Sequence, residues 1–135
     1  MIQLSNSAPV TVQPGAAVAF NVATKNTKNC TCFNPVTGSV KMMSKGTYMV
    51  SFSGNISGAT AGTPVQLAIA VSGTALQIGT MISTPAAADD FNNVSKNIYL
   101  DNCCCDMDRI TVVNTGTTAL TVGAGATLSV RKAFG

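Results

Sequence analysis

Apolar residues recur at every second position along this chain, and no stretch of useful length repeats them at the spacing of a helix face. Val18, Phe20 and Val22 alternate with Ala17, Ala19 and Asn21, while Tyr48, Val50, Phe52 and Ile56 alternate with Met49, Ser51, Ser53 and Asn55. The pattern returns at Val65, Leu67, Ile69 and Val71, at Leu76 and Ile78, at Ile98 and Leu100, at Ile110 and Val112, and at Leu128 and Val130. Successive side chains of a strand point to opposite faces, so each run predicts a strand with one face in a core. Between the runs lie Asn34-Pro35-Val36-Thr37-Gly38, Ser44-Lys45-Gly46, Ser57-Gly58, Ser72-Gly73 and Asn114-Thr115-Gly116, all of them turn chemistry. Ala86-Ala87-Ala88 is held between Pro85 and Asp89-Asp90 and reads as a loop. Short strands at regular spacing predict one all-β domain over residues 1–135, a sandwich or a barrel.

Composition narrows the function. The chain has 135 residues, 10% of them charged, a net charge of +3, and neither Glu nor His. Acid–base chemistry is left to five Asp, two Tyr and the lysines, and no nucleophile elbow or phosphate-cradling loop is present. The sequence therefore predicts a protein that is not an enzyme. A charge of +3 spread along the chain is too mild for a nucleic-acid surface. No run approaches the roughly 18 apolar residues of a membrane span. Met1-Ile2-Gln3-Leu4-Ser5-Asn6 has no basic start and no apolar core, so folding in a cytosol is expected.

The outward positions of the predicted strands carry Ala, Ser, Thr, Gln and Met where a solvated strand carries charge. Small neutral faces suit packing against a second subunit. Met43, Met49, Ala68, Ala70 and Met81 are the expected interface residues, and a charge placed at Met49, Ala68 or Ala70 is expected to impair assembly more than folding.

The five cysteines fall in two clusters, Cys30-Thr31-Cys32 and Cys103-Cys104-Cys105. An odd number leaves at least one thiol outside any internal disulfide. Positions i and i+2 of a strand share a face, so Cys30 with Cys32 and Cys103 with Cys105 would form a tetrahedral zinc site if the clusters meet. Disulfides and free thiols remain open beside that reading, and no cofactor is required. Asp89-Asp90 and Asp106-Met107-Asp108 offer too few carboxylates for calcium and read as solvated loops.

Phe20-Asn21-Val22, Phe33-Asn34-Pro35-Val36-Thr37-Gly38 and Gly46-Thr47-Tyr48-Met49-Val50-Ser51-Phe52 stand in the order of three motifs of the complement-component-q globular head, and the chain resembles that family. The resemblance implies a tumour-necrosis-factor-like jelly roll, a sandwich of two antiparallel sheets that forms compact homotrimers. No Gly-x-y collagen stalk is present, and Asp101-Asn102-Cys103-Cys104-Cys105-Asp106 stands where the family commonly has a Gly-Asp turn. The whole is similar to short stalkless versions encoded by gut Firmicutes and their bacteriophages. That likeness implies a structural protein of a phage virion surface, a capsid decoration or head fibre, assembled in the bacterial cytoplasm and docked on a capsid protein. The alternative is a receptor-binding or adhesin head that recognises a host cell-surface glycan or protein.

Overall fold

The computed structural model describes residues 2–25, 31–34, 39–42, 45–102 and 109–134. Twelve strands make up the regular structure: β1 (Ile2–Ser5), β2 (Val10–Val12), β3 (Val22–Lys25), β4 (Thr31–Asn34), β5 (Ser39–Met42), β6 (Gly46–Gly58), β7 (Val65–Val71), β8 (Thr74–Ser83), β9 (Asn92–Asn102), β10 (Arg109–Asn114), β11 (Leu120–Val122) and β12 (Thr127–Phe134). They form two sheets in which every pairing is antiparallel. The all-β sandwich with jelly-roll pairing agrees with the sequence-based expectation.

The larger sheet is organised on β6. Along one edge β6 pairs with β9 from Gly46 to Ile56, and along the other it pairs first with β12 and then with β11. The sheet continues from β12 through β1 to β3, and from β11 to β2. The smaller sheet runs β4, β5, β10, β7, β8. Residues 15–18 extend it beside β10, where Val18 donates its N–H to the Val112 carbonyl at 2.7 Å.

The core lies between the sheets. Tyr48, Val50, Phe52 and Ile56 of β6 meet Leu67 and Ile69 of β7, Ile110 and Val112 of β10, and Leu128 and Val130 of β12. These are the positions that the alternation assigns inward. Gly46 opens β6 at a φ of +151°, a backbone state that side-chain-bearing residues rarely adopt. Deeper in β6, a Cβ on Gly54 would lie 2.7 Å from the Cβ of Ala126, so the backbone is seated against the turn before β12.

Two inward assignments and one outward assignment change. Val22 is 42% exposed, because β3 places it opposite Ser5, a residue on the outer face. Ile78 is 60% exposed and Met81 is buried, the reverse of the expectation. The cause is one irregularity in the β7–β8 hairpin. Ala68 pairs with Thr80 and Ala70 pairs with Ala75, so residue 69 faces residues 76–79, three more than a regular ladder holds. An odd excess moves the following side chains to the other face, which sends Met81 into the core opposite Leu67.

Candidate functional site

The outer face of the larger sheet carries few charged side chains. Directly opposed residues on neighbouring strands share a face, so the registers define rows across it. One row runs Gln3, Ser129, Ser51, Asn97; the next runs Val22, Ser5, Thr127, Ser53, Ser95. A third runs Arg131, Met49, Tyr99, with the Arg131 guanidinium 3.7 Å from the Met49 sulfur. Asn93 donates its amide to Asn55 Oδ1 at 3.2 Å, and Thr47 Oγ1 donates to Asp101 Oδ1 at 2.7 Å. Among the described residues of this face only Arg131 and Asp101 are ionic, and both lie toward the Gly46 end of β6. Hydroxyls and carboxamides held in register by five strands make a flat surface of donors and acceptors with little conformational entropy left to lose. Such a face is suited to close packing against another protein surface.

A second feature borders it. β8 and β9, edge strands of the two sheets, run close together. Ile82, 59% exposed, stands on the outer side of β8 opposite Gln66, and Ile78 projects from the three-residue excess. Sequence patterning missed this pair. The alternation counts Ile78 as core and gives Ile82 no role, because the odd excess cannot be seen locally.

The expected interface residues separate. Met49 is half-buried in the middle of the outer face, as its position in β6 requires. Ala68 and Ala70 are on the outer side of β7 but are 1% and 0% exposed, shaded by Thr111 and Val113 of β10 and by Thr80 of β8. Met81 is buried between the sheets. These three are therefore inside the single chain and present no surface, which corrects the expectation for them. Met43 lies outside the described residues, as do Cys30, Cys103 and Cys105; of Cys32 the structure gives the backbone, in β4.

The two poles of the sandwich differ in chemistry. Lys41, Lys45, Arg109, Arg131 and Lys132 gather at the pole where β5 ends and β6 and β10 begin. Their separation along the chain hides this cluster from a sequence reading. The opposite pole has a pocket of about 140 Å³ lined by Gly58, Ala59, Thr60, Thr63, Thr118 and Ala119, without a charged side chain. Asn114 fixes one wall. Its side-chain amide donates to the carbonyls of Val12 and Thr118, both at 2.9 Å, and its Oδ1 accepts from the Gly116 N–H at 2.9 Å.

No protein family and no curated protein matches the sequence. Solved structures do match the fold. The Eiger TNF of S. frugiperda superposes with a TM-score of 0.77 at 15% identity, over 98% of this chain and 90% of that one. The globular domain of the zebrafish complement 1qA protein gives 0.71 at 15% identity, over 97% and 94%. Murine APRIL gives 0.70 at 14% identity, over 98% and 97%. The chain thus has the jelly-roll fold of tumour-necrosis-factor-like and complement-component-q globular domains, as the ordered motifs of its first half predict.

Proposed function

We propose that this chain is a non-enzymatic structural head that assembles as a homotrimer through the outer face of its larger sheet. The observation that carries the reading is the charge-free set of Ser, Thr, Asn and Gln rows spanning β1, β12, β6 and β9. A solvated sheet face ordinarily carries charge, and its depletion at the centre of a surface is the compositional mark of an interface. The exposed Ile78 and Ile82 on the β8 edge form a second surface that differs from the first. A face that meets an edge is a heterologous contact, and heterologous contacts close into a ring when their rotation divides the full turn. The ring of three follows the homotrimers implied by the resemblance.

In this reading the trimer is displayed on a phage virion as a capsid decoration or head fibre, with one pole docked on a capsid protein after assembly in the bacterial cytoplasm. The uncharged pocket at the pole near Thr60 and Thr118 favours a second reading, a receptor-binding or adhesin head with a neutral polar ligand such as a glycan.

Native mass spectrometry tests the assembly. A mass of three chains is expected for the unaltered protein, and Ser51→Lys should give folded single chains because it buries an unpaired charge in the contact. A single-chain mass for the unaltered protein at micromolar concentration overturns the reading. Recovery of the chain in purified virions from the encoding genome tests the virion role; absence from those particles removes it.

A further inference from the structure

β9 begins beside an aromatic ring that the core does not use. Phe91, 49% exposed, directly precedes β9, and its Cε1 lies 3.4 Å from the point that a Cβ on Gly123 would occupy. The Cβ of Asn55 is 3.6 Å from the same point. Gly123 is thus the floor on which the Phe91 ring and the Asn55 side chain meet, and a large residue there would lift the ring. The floor is fixed, because Gly123 donates its N–H to the Asn55 carbonyl at 2.8 Å. Asn93 stands opposite Asn55 in the β6–β9 register and donates its amide to Asn55 Oδ1. The Asn55 amide and Asn93 Oδ1 have no other protein partner among the described residues, so a donor and an acceptor stand side by side near the ring. The chain that enters Phe91 is pinned as well. Asp89 donates its N–H to the Gly58 carbonyl at 2.9 Å, and Asp90 donates to that of Ala87 at 3.3 Å.

We propose that Phe91 is the stacking platform of a sugar-binding site, that Asn55 and Asn93 hold hydroxyls at its rim, and that the ligand is an uncharged hexopyranose of the galactose type. The inference rests on the receptor-binding reading above and gives it a contact point of its own, joined to the pocket by Gly58, which lines the pocket and accepts the Asp89 N–H. An aromatic face carries negative charge density and attracts polarised C–H groups. A galactose ring presents the hydrogens of its third, fourth and fifth carbons together on one face, because its fourth hydroxyl is axial. Its hydroxyls lie around the rim, where each needs a donor and an acceptor, and the Asn55–Asn93 pair offers both in one place. Asp89 and Asp90 are exposed acceptors next to the ring in sequence, and Arg131 of this face lies toward the other end. That charge balance favours a neutral sugar over a sialic or uronic acid. The rows assigned to assembly end at Ser53 and Ser95, so Asn55, Asn93 and Phe91 lie beyond them toward the pole. Side chains already held by the ladder and by Gly123 lose little freedom when a ligand arrives.

Saturation-transfer NMR on the full chain tests the site, with methyl β-galactoside as the probe and N-acetylneuraminic acid as the anionic control. The hydrogens on the third, fourth and fifth carbons of the galactoside should receive the strongest saturation, and the control should receive none. On titration, the side-chain amides of Asn55 and Asn93 and the Gly123 N–H should shift in heteronuclear spectra. Phe91→Trp should retain binding. Phe91→Leu, which keeps an apolar cover over Gly123 but has no π face, should weaken it about tenfold. Binding that shifts Thr60 and Thr118 alone, or that survives Phe91→Leu undiminished, overturns the platform and leaves the glycan reading of the pocket standing. Equal saturation of the anionic control overturns the proposal, and so does the absence of transfer to the galactoside. A silent glycan array removes the glycan reading as well. If Phe91→Leu fails to fold by circular dichroism, the saturation pattern and the shifts of the unaltered chain decide the matter alone.

Discussion

At the scale of single residues, Asn114 and Asn6 are two buried asparagines with unequal tasks. Asn114 makes three hydrogen bonds through its side chain, two of them to carbonyls of β2 and of the 115–119 loop. Asn6 donates to the carbonyls of Ala8 and Gly123, both at 3.0 Å, while its Oδ1 has no hydrogen-bond partner. Removing a side chain that satisfies buried carbonyls leaves them desolvated, at about 1–3 kcal/mol for each group. Asn114→Ala should therefore cost about 2–4 kcal/mol and Asn6→Ala about 1–2 kcal/mol, an ordering that denaturant unfolding of the two variants checks directly. The sequence showed half of Asn114: the Gly116 N–H bonded to its Oδ1 belongs to the local turn that Asn-Thr-Gly predicts. Its bond to Val12 spans 102 residues and has no local signature. Gly54 is a similar case. Gly54→Ala would drive a Cβ to 2.7 Å from that of Ala126, with Phe52 Cζ at 3.2 Å. Overpacking of this kind costs about 1–3 kcal/mol, and Ala126→Gly in the same chain should return part of the lost unfolding midpoint.

Among the elements, β8 is the one in which sequence and structure part. The turn before it conforms to rule: Ser72 and Gly73 both have positive φ, 50° and 85°, as a two-residue hairpin of the primed type needs. Beyond Ala75 the three extra residues reverse the faces, and Gly79 closes against Ile69, whose Cβ would be 2.9 Å from an added Cβ. Excising Leu76, Gln77 and Ile78 joins the pairs Ala70–Ala75 and Ala68–Thr80 into one continuous register. That shortened chain should fold, with an unfolding free energy within about 2 kcal/mol of the parent because only Leu76 packs partly on the core. Loss of the β-sheet circular dichroism signal would show that the irregularity itself holds β8 in place. β6 is the contrasting element. Its alternation from Tyr48 to Ile56 was readable in full, because it is central, regular and paired along both edges.

At the scale of the whole molecule, the described residues place their chemistry unevenly: a face on the larger sheet whose ionic side chains are Arg131 and Asp101 alone, a cluster of Lys and Arg at the start of β6, and an uncharged pocket at its end. Burial separates two kinds of outward position. Ser129 lies on the open face, so Ser129→Lys should leave a folded single chain. Ala70 is already buried within the chain, so Ala70→Lys should unfold it by placing an unpaired charge among packed side chains. Native mass spectrometry with circular dichroism on the pair distinguishes the outcomes, and a folded Ala70→Lys single chain would refute the burial argument. The sequence by itself determined the fold class, the alternating core of β6, β7, β10 and β12, and the depletion of charge, since side-chain period and composition are local properties. Only the tertiary structure decided which faces remain open, where Met81 and Ile78 point, and that Lys41 and Arg109 stand side by side at one pole. Those depend on strand register, and register is set by contacts between residues far apart in the chain, where one odd insertion turns a face from core to solvent.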